Sequence, residues 1–469
     1  MPRLLIVSNR LPIFVEKRAG ELHFEPSITG LVTGLKPLHK RHSSIWIGWP
    51  GIEQEEIEGE EKEFEKRLSS KGYHPVFLSK QNVEGFYHGF CNKTVWPLFH
   101  YFPLYAEYDE DLWRTYERVN EVFGNTVLEI AKSDDIIWIH DYQLMLLPKL
   151  IRERLPQATV GLFLHIPFPS YEIFRLLPWR QQILDGLLGA DLIGFHTDDY
   201  VRHFLESVQR LLGYETAMNQ ITTPNRIVRV DAFPLGIDYQ QYNNALGGKK
   251  VQAEVHQLHK KLGNRKVILS IDRLDYSKGI PQRLEAFSLF LKKYPEHKGK
   301  LILILVLAPS RLKVEHYILL KKQIDELVGS INGQYGTIDW TPIWYLNRSL
   351  PFHSLIALHN IADIALVTPI RDGMNLVAKE YIATRTDGRG VLVLSETAGA
   401  AQELGEAIII NVNSQEEIVQ ALKVALEMPE EEQIQRNRTM QKRLQTYDVA
   451  RWSAEFMDNL LSATKLHGG

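Results

Sequence analysis

Short apolar, β-branched runs recur from one end of the chain to the other, and they limit its fold more than any other feature. They read "RLLIVSNR", "SIWIGWPG", "DIIWIHDY", "VGLFLHIPF" and "DLIGFHTD", then "KVILSIDRLDYSKG", "KLILILVLAPSR", "TPIWYLN", "DIALVTPIRDG", "GVLVLSE" and "AIIINVN". Continuous rather than alternating hydrophobicity argues for strands covered on both faces. Helical patterns such as "YVRHFLESVQRLLG" and "IPQRLEAFSLFLKKY" lie between many of them. That alternation predicts an α/β protein built on parallel sheets. At 469 residues the chain exceeds what a single core fills, so two domains are expected. The pattern lapses into polar, helix-prone sequence from Tyr239 to Lys266, and the domain boundary is placed there. The tail from Glu430 to Leu461 is charged and amphipathic and reads as a terminal helix pair packed on the body.

Composition narrows the function class. A chain that is 44% hydrophobic and 24% charged, with a formal net charge of -3, offers neither a basic surface for nucleic acid nor a polybasic membrane patch. The single cysteine, Cys91, excludes an internal disulfide and any multi-thiolate metal site, which fits a reducing compartment. "MPRLLIVSNR" is too short an apolar stretch for a signal peptide, and "LILILVLA" falls far below the roughly 20 residues that span a bilayer. A cytoplasmic enzyme is the expectation.

Most of the runs end in polar or special residues: Arg10, Asp141, His165, Arg273 with Lys278, Arg311, and Arg371 to Gly373. In open α/β sheets the carboxyl ends of strands line the ligand crevice, and the helices that follow supply free N–H groups. In "SIDRLDYSKG", Arg273 leaves the strand and Lys278 follows, ahead of Gly279 and a Pro281 suited to a helix start. A planar fork beside a point charge suits a diphosphate, although a solvated loop with surface salt bridges has the same spacing. Neither GxGxxG nor a Walker loop occurs at this turn, which disfavours nicotinamide and P-loop readings.

In "RDGMNLVAKEY", Gly373 lets a ligand approach the backbone, and the amides of Met374, Asn375 and Leu376 are placed at a helix start to receive phosphate oxygens. Asp372 suits hydroxyl donors rather than phosphate, and Glu380, two helical turns on, is placed for a ribose. A helix cap and a surface residue are the plainer alternatives for these two. His165 is either a hydrogen-bonded core residue or a catalyst, and Asp141 either a cap or a site residue. Trp49, Tyr87 and Trp96 are amphipathic aromatics that bind sugar faces or fill cores. "YDEDLW" matches the DxD of metal-dependent transferases, but no apolar strand precedes it. It reads as an acidic helix start, and no metal is assigned.

Together, "LLIVSNRLP", "WIHDYQLMLLP", "FLHIPFPSYEIF", "DRLDYSKGI" and "LVTPIRDGMNLVAKEYIA", in this order over nearly the whole chain, resemble the trehalose-6-phosphate synthase family of retaining glycosyltransferases. The resemblance implies two facing Rossmann-like domains, the GT-B arrangement, with an active-site cleft between them. The implied acceptor domain covers 1–240 and the nucleotide-sugar domain 241–450, with a C-terminal helix and tail over 451–469 packing back on the first. It also implies glucose transfer from a nucleotide sugar, UDP-glucose by default, to the anomeric hydroxyl of glucose 6-phosphate, with no metal or cofactor.

By the same resemblance the donor diphosphate falls to Arg273 and Lys278, and the donor sugar to His165 and Asp372. The backbone cradle falls to Gly373, Met374, Asn375 and Leu376, the ribose to Glu380, and a mobile loop over the donor to Gly30. The acceptor phosphate falls to Arg10 and Arg311, with Trp49, Tyr87 and Trp96 shaping that site and Asp141 binding acceptor hydroxyls. Two positions depart from the family. Thr29 stands where the first of two adjacent glycines is usual, and threonine does not readily take φ > 0; Gln143 stands where His is often found. Transfer to another phosphorylated acceptor such as glycerol 3-phosphate, and a non-catalytic sugar-phosphate sensor, are the competing readings. No DxDGT phosphatase motif occurs, so a separate phosphatase is expected to act on the product. The nucleotide base is not legible, and a homo-oligomer is left open.

Overall fold

The computed structural model describes residues 3–18, 21–26, 35, 44–311 and 314–464. Each of the apolar runs forms a strand, as continuous apolar sequence under cover on both faces requires. The chain divides into two units, one running to Leu235 and resuming at Ala450, the other spanning Gly236–Val449.

In the first unit the strands are β1 (Leu4–Arg10), β4 (Ser44–Trp49), β5 (Tyr73–Pro75), β6 (Ile136–His140), β7 (Thr159–Phe163), β8 (Leu192–Phe195), β9 (Glu215–Ala217), β10 (Gln220–Thr222) and β11 (Ile227–Ala232). Their order is β5-β4-β1-β6-β7-β8-β11-β10-β9, and β10 alone is antiparallel to its neighbours. A small hairpin, β2 (Ile13–Arg18) with β3 (Glu21–Pro26), stands apart from this sheet. The second unit carries β12 (Lys266–Arg273), β13 (Leu301–Ala308), β14 (Ile343–Leu346), β15 (Ile364–Val367), β16 (Val391–Ser395) and β17 (Ile408–Ile410), all parallel in the order β14-β13-β12-β15-β16-β17. Both sheets are Rossmann-like, with helical crossovers between parallel strands.

Strand order locates the crevices. The chain builds β1, β4 and β5 in one direction and then returns to place β6 on the other side of β1. In the second unit it builds β12, β13 and β14 and then returns to place β15 beside β12. These reversals, β1/β6 and β12/β15, are the switch points where the connections diverge and leave room for a ligand.

The helices used below are α1 (Glu110–Ile130), α2 (Tyr239–Ala245), α3 (Lys249–Leu262), α4 (Ile280–Lys293), α5 (Phe352–Ile361), α6 (Leu376–Thr384), α7 (Glu430–Thr446) and α8 (Val449–Thr464). The polar, helix-prone stretch begins just after Gly236, where the second unit starts. It folds as α2 and α3, because its few apolar residues fall at helical spacing: Tyr242, Leu246, Val251, Val255 and Leu258 pack against Ile356 and Ala357 of α5. The last two helices are divided between the units. Asn437 of α7 donates to the carbonyls of Gly388 and Gly390 in the second unit. α8 lies in the first, where Phe456 stacks on Trp138 at 4.5 Å and Trp452 meets Phe163 edge-on at 5.1 Å. No helix among the described residues is long and apolar enough to cross a membrane.

Candidate active site

At the β12/β15 switch point the second unit gathers charge. β12 ends at Arg273, whose side chain is 46% exposed, and the chain turns through Tyr276–Lys278 into α4. The turn needs Gly279: its φ is 63°, and a Cβ there would run into the carbonyl oxygen of Thr368. Beneath it lies Arg283 of α4, fully buried. It donates to Asp272 Oδ2 at 2.8 Å, Thr368 Oγ1 at 2.9 Å, the Lys278 carbonyl at 3.1 Å and the Ser270 hydroxyl. One guanidinium therefore ties the ends of both switch-point strands to the turn that carries Lys278.

Across the switch point, Lys278 Nζ pairs with Asp372 Oδ2 at 2.6 Å, and Asn375 Nδ2 donates to the same oxygen at 2.9 Å. Asn375, not Asp372, caps α6: it takes the left-handed conformation at φ 72° and accepts from the Ala378 amide at 3.2 Å. The turn from Asp372 to Met374 is fixed from behind, since Asp372 N donates to Thr397 O and Ala400 N donates to Met374 O at 2.7 Å. A Cβ on Gly399 would strike the Gly373 carbonyl, so the close approach of these two loops depends on that glycine. The buried Lys379, paired with Glu403, anchors the same helix. Glu380 accepts from the hydroxyl of Tyr242 on α2 at 2.8 Å. Burial pushes the Glu380 carboxyl above its ordinary value, and the Tyr242 hydrogen bond opposes that rise.

Arg311 also belongs to this unit. Its Nη1 donates to Asp275 Oδ2 at 3.0 Å and to Tyr317 Oη at 2.5 Å, and Arg273 Nη2 lies 3.9 Å from the same Asp275 oxygen. Asp275 is buried, and its other oxygen caps the Lys278 turn through Ser277 N and Oγ.

In the first unit, Arg10 ends β1, and its guanidinium lies 4.8 Å over the Trp49 ring, whose neighbour Tyr87 is 6.2 Å away. Burial lowers the Arg10 pKa, with Tyr87 acting in the opposite sense. Asp141 follows β6 at φ 76° and accepts from the His165 amide at 3.1 Å. His140 Nδ1 and His165 Nε2 are 3.2 Å apart, and burial holds both rings well below the ordinary histidine pKa. Trp96 is buried, stacked on His100 at 3.9 Å and 5.9 Å from Tyr142.

The expected donor residues Arg273, Lys278, Asp372 to Leu376 and Glu380 thus cluster in the second unit, joined by Arg311. Arg10, Trp49 and Tyr87 form one group in the first unit, and Asp141 and His165 another. Gly30 and Thr29 lie outside the described residues. Asp109 is the N-cap of α1, accepting from the amides of Asp111 and Leu112. Three residues escaped sequence reasoning, Tyr242, Asp275 and Arg283, while His140 stood out only as the end of an apolar run. Of the three, only Arg283 left a signal, a lone charge on the apolar face of "IPQRLEAF".

The glycosyltransferase family 20 model matches residues 2–462. A bifunctional trehalose-6-phosphate synthase/phosphatase of Thermoproteus tenax is 47% identical over 472 residues, covering 98% of this chain and 64% of that protein. The chain thus spans less than two thirds of that relative's length. The 56 kDa subunit of the UDP-forming trehalose-phosphate synthase of Saccharomyces cerevisiae is 42% identical over 470 residues, covering 98% and 94%. Among solved structures, a UDP-forming trehalose-phosphate synthase from Burkholderia xenovorans in complex with glucose-6-phosphate superposes with a TM-score of 0.88 at 31% identity, covering 98% of this chain and 100% of that one. With a family model and a long relative both spanning nearly all of it, the chain belongs to glycosyltransferase family 20.

Proposed function

We propose that this chain transfers glucose from UDP-glucose to the anomeric hydroxyl of glucose 6-phosphate with retention, making trehalose 6-phosphate. The observation that carries the reading is the Lys278–Asp372 pair across the β12/β15 switch point, beside the Asn375-capped start of α6. Cation, carboxylate and helix-start amides meet there within one turn, as a sugar diphosphate requires. Lys278 and Asp372 satisfy each other. On donor binding, Lys278 turns to the diphosphate and Asp372 accepts sugar hydroxyls.

The bond from glucosyl C1 to the diphosphate oxygen then breaks, and negative charge grows on the leaving group against Arg273, Lys278 and the amides of Gly373 to Leu376. The acceptor's anomeric oxygen forms the new bond on the same face of the sugar, and its proton passes to the departing phosphate. Arg10 over Trp49, with Tyr87, Trp96 and Arg311, holds the acceptor phosphate; Asp141 takes acceptor hydroxyls and His165 contacts the donor sugar. All residues used carry fixed charge or hydrogen bonds, and no metal or cofactor enters the reading. Its setting is the cytosol, and removal of the product's phosphate is assigned to a phosphatase site outside these residues, as the name of the Thermoproteus tenax relative suggests.

The test offers UDP-glucose with glucose 6-phosphate and, in parallel, with glycerol 3-phosphate, and reads the anomeric configuration by proton NMR. The expected outcome is α,α-linked product from glucose 6-phosphate alone, with Lys278→Ala lowering kcat by roughly 10²–10³. Transfer only to glycerol 3-phosphate, or near-native turnover in the Lys278 variant, would overturn it.

A further inference from the structure

His140 ends β6 and is fully buried, whereas His165, just beyond β7, keeps partial exposure. Their rings stack with centroids 5.4 Å apart, and His140 Nδ1 faces His165 Nε2 at 3.2 Å. Around them stand Trp138 at 4.7 Å from His140, Phe163 at 4.6 Å from His165, and Trp452 of α8 at 6.2 Å. Two other titratable groups face the pair. His196 has its ring centroid 5.5 Å from that of His165, and the Asp141 carboxylate is engaged by the His165 backbone amide.

We propose that His140 is a positioning residue that fixes the tautomer of His165, donating from Nδ1 to His165 Nε2, so that His165 carries its own proton on Nδ1. The argument is one of hydrogen-bond accounting. Both rings are held neutral by burial, so a single proton lies in the shared bond. His140 Nε2 is buried and has no hydrogen-bond partner. If His165 donated, His140 would have to carry its proton on that isolated nitrogen. If His140 donates, the same nitrogen is bare, and buried bare acceptors are better tolerated than orphaned N–H groups. His165 then presents an N–H rather than a lone pair on its remaining nitrogen. This deepens the reading of His165 as a donor-sugar contact and rests on it. A donor fixed in direction can hold a sugar hydroxyl oxygen in the reacting orientation without reorganising.

Ring ¹⁵N NMR of the ligand-free protein, with His165 assigned by a His165→Gln control, reads the tautomer directly. The expected spectrum shows His165 protonated at Nδ1 in the native chain, and altered in His140→Leu. His140→Asn, whose side-chain amide can donate from the δ position, restores it. His140→Leu should lower kcat by up to roughly 10²–10³ with little change in either KM, and His140→Asn should recover most of the loss. A native spectrum with the proton on Nε2 overturns the proposal even if no variant folds, and so does unchanged turnover in a folded His140→Leu protein. Full activity in His165→Ala would instead remove the functional role of His165 while leaving the tautomer assignment to the spectra.

Discussion

Replacing Arg283 with methionine tests whether the proposed donor half-site is held by a buried charge network. The substitution keeps most of the volume of a fully buried side chain but removes its bonds to Asp272, Thr368, Ser270 and the Lys278 carbonyl. Asp272 is itself buried, and burial already raises its carboxyl pKa against the opposing pull of Arg283 and then Lys278. Deleting one partner of a buried ion pair strands the other, at about 3–5 kcal/mol. Adding Asp272→Asn removes the stranded charge and should recover all but about 1–2 kcal/mol. The pH dependence follows from the direction of the shift. A carboxyl whose folded pKa is raised above its unfolded value favours folding at low pH and loses that contribution as pH rises. The Arg283→Met defect should therefore be largest near neutrality and shrink toward pH 5. Urea unfolding, with hydrogen exchange of peptides covering β12 and the Lys278 turn, locates the loss. A change below about 1 kcal/mol that is flat with pH would refute the reasoning.

Two further outcomes follow from buried titratable groups. Tyr242→Phe removes the hydrogen bond that counters the burial of Glu380, so its carboxyl should rise further. KM for UDP-glucose should increase about tenfold, more at pH 6 than at pH 8; a ratio constant with pH would reduce Tyr242 to packing. His359 is buried beside Arg385, and burial lowers its pKa from 6.5 to about 3. A depressed histidine stabilises the fold above its unfolded pKa and loses that contribution as pH falls from 6.5 toward 3, at roughly 1.4 kcal/mol per unit. His359→Leu should flatten the acid limb of a urea-midpoint titration between pH 6.5 and 5, and an unchanged slope would contradict the assignment.

The parallel cores were legible because burial on both faces writes itself into sequence as continuous apolar runs, and all of those runs are strands. The hairpin β2–β3 and the strands β9 to β11 were not, since each is half-exposed or short: β11 has only Val228 and Val230 buried in six residues. α2 and α3 read as polar, helix-prone sequence because they bury one narrow apolar stripe under many charges, which lowers mean hydropathy without breaking helical spacing. The site divides the same way. Residues that end strands, such as Arg10, Arg273 and Asp372, stand out because charge follows an apolar run. Their holders do not: Asp275 and Tyr242 lie 36 and 138 positions from the groups they bind, and only the fold brings them together; His140 ends a strand, yet its pairing with His165, 25 positions on, is equally a product of the fold.

The same holders supply internal counter-charge to the site. Each cation assigned to phosphate binding in the second unit already faces an internal anion, Lys278 on Asp372 and Arg311 on Asp275, with Arg273 at 3.9 Å from the latter. Such pairing offsets the cost of desolvating charge before substrate arrives, and it fixes where each group points. It also sets a requirement on the donor. On the proposed reading, the donor diphosphate competes with carboxylates for the same cations while its sugar hydroxyls satisfy Asp372, so a bare diphosphate would replace only half of the exchange. The sugar is then a binding determinant as well as the transferred group, which is how a transferase can hold its donor more firmly than its leaving product.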